Sequence, residues 1–165
     1  MITGKEDLLQ SLIEVFIMEK GTKLFYSEAA ERAVNQDTKK TFRELSLWEE
    51  KHMDFIQYLY QAINGDEEVR SFEEFRNKVE APVTEAGIPV KDLEEKMEKH
   101  IYKDEMGALT LAMEIEGKAY NLYRGLSQDA ADANARVVFR EMMGQEVRHI
   151  DYLKTLKARL ADVYK

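Results

Sequence analysis

Phe42-Arg43-Glu44-Leu45-Ser46-Leu47-Trp48-Glu49-Glu50-Lys51-His52-Met53-Asp54 and Phe139-Arg140-Glu141-Met142-Met143-Gly144-Gln145-Glu146-Val147-Arg148-His149-Ile150-Asp151 are two versions of one stretch, 97 residues apart. At that offset Glu49, His52, Asp54 and Leu59 fall on Glu146, His149, Asp151 and Leu156. The match also runs backwards without a gap, placing Leu12, Glu19, Tyr26 and Ala33 on Leu109, Glu116, Tyr123 and Ala130. Chance would rarely keep one offset through two periodic segments and the turn between them. The chain reads as an internal duplication.

The duplicated unit is a helical hairpin. Leu9, Leu12, Phe16, Tyr26, Ala30 and Ala33 recur at the three- and four-residue steps of one helix face, and Phe42, Leu45, Ile56, Leu59 and Ile63 follow after the polar caps Asn35-Gln36-Asp37-Thr38. A second pair of stripes runs Leu109, Ala112, Met113, Tyr123, Leu126 and then Phe139, Met142, Leu153, Leu156, Leu160, with Ser127-Gln128-Asp129 read as the break between them. The expected architecture is all-α: one domain over residues 1–165, with hairpin 1 at about 5–64 and hairpin 2 at about 104–164. The two antiparallel hairpins form a four-helix bundle, joined by a long crossover at about 65–103. The crossover holds both prolines, Pro82 and Pro89, and two short amphipathic patterns, Val69/Phe72/Phe75/Val79 and Val90/Leu93/Met97/Ile101.

Composition narrows the chemistry. The chain has 32 acidic and 24 basic residues and a net charge of -8, which argues against a nucleic-acid partner. There is no cysteine, which excludes disulfides, thiolate catalysis and cysteine-held metals, so any metal must bind through Glu, Asp or His. The amino end does not read as a signal peptide, and no apolar run is long enough for a membrane span. A soluble cytoplasmic protein, with no membrane partner, is the expectation.

Charges interrupt the apolar stripes at particular places. The second helix face reads Phe42, Leu45, Glu49, His52, Ile56, Leu59, and the fourth reads Phe139, Met142, Glu146, His149, Leu153, Leu156. Glu19 and Glu116 stand on the core faces of the first and third helices. One Glu-x-x-His on a helix is ordinarily a solvated surface pair, but two in matching core positions are not. Four buried carboxylates cost several kcal/mol each when uncompensated. Two divalent cations would cancel their four charges, and the three-residue spacing puts oxygen and nitrogen about one turn apart on one face.

One Glu from each of two helices plus Glu-x-x-His from the other two resembles the ferritin-like di-iron carboxylate proteins. Ile17-Met18-Glu19-Lys20-Gly21 before Phe25-Tyr26, and Glu114-Ile115-Glu116-Gly117-Lys118 before Leu122-Tyr123, look like the rubrerythrin branch. The resemblance implies a metal site of Glu19, Glu49, His52, Glu116, Glu146 and His149, with Glu19 and Glu116 terminal, Glu49 and Glu146 bridging, and each His on one ion. Tyr26 and Tyr123 are placed to donate hydrogen bonds to ligand carboxylates, or else are ordinary core tyrosines. Asp54 and Asp151 read as solvent-facing, His100 as exposed, and Trp48 as packing on the crossover.

The resemblance further implies a di-iron oxidoreductase that reduces peroxide or dioxygen. Its alternatives are an iron-binding or ferrous-iron-oxidising protein and a metal-stabilised scaffold without turnover. The expected cofactor is two iron ions, with manganese or a mixed pair also suited to these ligands. Without cysteine there is no rubredoxin-type iron, so an external donor such as a rubredoxin-like protein, or ferrous iron itself, is the expected source of electrons. Peroxide-reducing rubrerythrins carry an extra glutamate three residues from a ligand, where this chain has Ala119 and, in the other repeat, Thr22; Glu114 points off the face. The resemblance, with the apolar faces around Phe72, Phe75, Leu93 and Met97, suggests a homodimer, or else those faces cap their own bundle.

Overall fold

The computed structural model describes residues 5–64, 76, 77, 84, 91 and 105–163, with side chains assigned from 8 to 64 and 107 to 161 in the long helices. Four helices dominate: α1 (Lys5–Arg32), α2 (Gln36–Asn64), α3 (Glu105–Asp129) and α4 (Ala133–Val163). Most of the crossover lies outside the described residues, including both amphipathic patterns, His100 and the apolar residues cited for a dimer.

One polar residue caps the helix that follows each hairpin turn. Asn35 caps α2, its Oδ1 accepting from the backbone N–H of Asp37 at 2.9 Å and of Thr38 at 3.2 Å. Asp132, at the same place in the second repeat, caps α4 by accepting from Ala135 N–H at 2.8 Å. The preceding helices close alike, with Ala33 N–H on the Ala29 carbonyl and Ala130 N–H on that of Leu126. The break in the second repeat therefore falls at residues 130–132, later than Ser127-Gln128-Asp129. Ser127 lies within α3, its hydroxyl turned back to donate to the Arg124 carbonyl at 2.8 Å.

α1 packs on α2, α3 packs on α4, and α2 and α4 bring the hairpins together. The core falls into two blocks. One joins Phe25, Tyr26, Ala29 and Ala30 of α1 and Phe42 and Leu45 of α2 to Leu109, Ala112 and Ile115 of α3 and Leu153, Leu156 and Leu160 of α4. The other joins Leu8, Leu12, Val15 and Phe16 to Met53, Ile56 and Leu59, and to Ala119, Tyr123, Phe139 and Met142. The turn of one hairpin thus sits at the end of the bundle where the other hairpin is open. Each large side chain buried in these blocks contributes roughly 1.5–3 kcal/mol. On every helix the sequence gap between the blocks is where the stripe carries its charges: Glu19, Glu49/His52, Glu116 and Glu146/His149. Among the described residues, no helix is long and apolar enough to cross a membrane.

Candidate metal centre

Between the two apolar blocks the four helices converge on six buried ionisable side chains. Glu19, Glu49, His52, Glu116 and Glu146 are fully buried and His149 is 2 % exposed. They form two linked groups, in each of which the facing ligand atoms lie within 4.8 Å of one another: Glu19, Glu49, His52 and Glu146, and Glu49, Glu116, Glu146 and His149.

The detailed geometry repeats like the sequence. His52 Nδ1 faces Glu19 Oε2 at 3.3 Å, Glu49 Oε2 at 3.4 Å and Glu146 Oε1 at 3.2 Å. His149 Nδ1 faces Glu116 Oε2 at 3.1 Å, Glu49 Oε1 at 3.7 Å and Glu146 Oε2 at 3.5 Å. Glu49 and Glu146 therefore each turn one oxygen toward each imidazole, while Glu19 and Glu116 each serve one. Two sets of three oxygens and one nitrogen share two carboxylates. The nitrogen-to-oxygen spacings match the edges of coordination polyhedra for ions about 2.1 Å from each donor, and this donor set fits first-row dications.

Without such charges, protons and imidazoles must balance the carboxylates. Burial alone would raise the Glu49 carboxyl; a hydrogen bond with Glu19 and the neighbouring His52 and His149 outweigh it and hold Glu49 down to about 2.

The two tyrosines differ. The Tyr26 hydroxyl donates to Glu116 Oε1, tying α1 of one hairpin to a carboxylate of the other. Tyr123 stands edge-on to His52, with ring centroids 6.2 Å apart, and its hydroxyl has no hydrogen-bond partner among the described residues. Thr22 is buried and bonds back to the Met18 carbonyl at 3.1 Å, Ala119 is buried in the core, and Glu114 lies outside the cluster, pairing with Lys118 at 3.2 Å. Asp54 is exposed and held by Arg76 at 2.7 Å; Asp151 is exposed too.

Comparison with protein families matches residues 11–157 to the rubrerythrin family. The chain belongs to that family. No curated protein and no solved structure matches it. For a rubrerythrin-type domain, the buried carboxylate and imidazole cluster indicates a di-metal site.

Two neighbours of the cluster escape sequence reasoning. Trp48, expected to pack on the crossover, packs on α4: its ring stacks on His149 with centroids 4.7 Å apart and planes 12° from parallel, and His149 stacks in turn on His52 at 5.5 Å. Gln145 Oε1 lies 2.7 Å from His52 Nε2. Both contacts cross between hairpins, and helix periodicity alone does not give that register. The available signal was that each residue directly precedes a Glu-x-x-His glutamate.

Proposed function

We propose that this rubrerythrin-family chain is a di-iron oxidoreductase that reduces hydrogen peroxide. In this reading Glu19 and Glu116 would each serve one ion, Glu49 and Glu146 would be shared between the two, and His52 and His149 would each hold one. The observation that carries the proposal is the division of the Glu49 and Glu146 oxygens between the two imidazoles. When bound, the iron pair would supply the two electrons that, with two protons, convert hydrogen peroxide to two water molecules.

The protein's own groups shape that chemistry. Four carboxylates balance two dications, so the loaded site is near neutral in a low-dielectric interior. Tyr26 holds one oxygen of Glu116 and leaves the other facing His149. The apolar blocks on either side limit water at the cluster. These 165 residues contain no cysteine to hold a rubredoxin-type iron, so in this reading the electrons come from a donor outside them, such as a rubredoxin-like protein.

Thr22 and Ala119, standing where an additional glutamate would extend the donor set, favour ferrous-iron oxidation as the second reading. Rapid mixing of anaerobic iron(II)-loaded protein with each oxidant separates the readings. The proposal expects one equivalent of hydrogen peroxide per site to oxidise it faster than dioxygen does. Faster reaction with dioxygen would favour iron oxidation, and no reaction with either would favour a scaffold.

A further inference from the structure

The repeat is broken at several places beside the cluster, and one of them bears on the histidines. Positions 48 and 145 correspond under the 97-residue offset, yet one is Trp and the other Gln. Their neighbours keep their character: Lys51 corresponds to Arg148 and Phe55 to Tyr152. Each of the two unlike residues reaches across to the histidine of the other hairpin, and they treat it differently.

Gln145 gives His52 an acceptor. Its amide Nε2 donates to Glu141 Oε1 at 3.4 Å, which leaves Oε1 to accept from His52 Nε2–H at 2.7 Å. With a metal bound, that bond would keep the ring proton on Nε2 and the Nδ1 lone pair toward Glu19, Glu49 and Glu146, making the ring a stronger donor. His149 has a stacked indole instead, and no described residue accepts from its Nε2. His149 also borders a cavity of about 390 Å³ lined by Trp48, Lys51, Phe55, Gln145 and Arg148.

We propose that the two metal positions are unequal, that the Glu19/His52 position binds more tightly and fills first, and that Gln145 is the positioning residue responsible. The inference rests on the reading of the cluster as a di-metal site and adds an order of loading.

Three histidines make the test direct. Protein labelled with ¹⁵N in histidine is titrated with zinc(II), and long-range proton–nitrogen spectra follow each Nδ1. His100→Gln removes one set of signals, and contact with the indole protons of the sole tryptophan, Trp48, marks His149. At one equivalent the proposal expects His52 to be occupied about tenfold more than His149, with His149 following at the second equivalent. In Gln145→Leu the preference should fall to about twofold or less, while helix content and the two-ion endpoint persist. Equal occupancy at one equivalent, or an order unchanged in Gln145→Leu, would overturn the inference while leaving the di-metal reading intact. Failure to bind any zinc would overturn both.

Discussion

Tyr26 and Tyr123 occupy the same position in the two repeats, but only Tyr26 bonds a carboxylate of the cluster. Tyr26→Phe should therefore weaken metal binding about tenfold, by freeing Glu116 to turn. Tyr123→Phe should change it little. Competition with a chelator of known iron(II) affinity would compare them, and equal losses would count against the asymmetry. The ligand stripe itself was legible in the sequence because charge interrupts a helical apolar period. The unequal tyrosines, the Trp48 stack and the Gln145 bond were not, because each depends on how one hairpin is set against the other. Periodicity within a helix says which residues share a face, but not which residue on the next helix they meet.

At the level of elements, the repeat extends to the caps. Asn35 and Asp132 do the same work at turns on opposite ends of the bundle. Asn35→Ala and Asp132→Ala should each cost about 1 kcal/mol in urea unfolding, and the double variant should lose the sum because the sites share no partner. Metal content should remain unchanged in all three. The four helices and their pairing were legible because the apolar stripes are long. The second turn was placed too early, since Ser127-Gln128-Asp129 looks like a break until Ser127 is seen bonding within its own helix.

For the whole molecule, the cluster links folding to metal and proton binding. The folded chain organises a cluster that would hold metals and the unfolded chain does not, so free metal at 100 times its dissociation constant should add about 2.7 kcal/mol of stability for each ion bound. That corresponds to roughly 5–10 °C in a thermal melt of a chain this size. Protons compete for the same donors, so the gain should shrink as the pH falls. In the metal-free fold Glu49 is depressed to about 2, so its contribution is fully present above its ordinary value of 4.5 and is lost as the pH falls through about 2. Melts of metal-free and loaded protein across pH should therefore converge on acidification; a metal-induced shift that grew with acidity would contradict the linkage.

The central claim is that two carboxylates are shared between two metal positions. Iron(II) bound per chain, counted by anaerobic equilibrium dialysis of the unsubstituted protein, Glu19→Ala and Glu49→Ala, tests it most directly. The account predicts two ions in the unsubstituted protein, a partial loss in Glu19→Ala and a larger loss in Glu49→Ala, because Glu49 faces both positions. Full metal content in both variants, or a greater loss in Glu19→Ala, would contradict it.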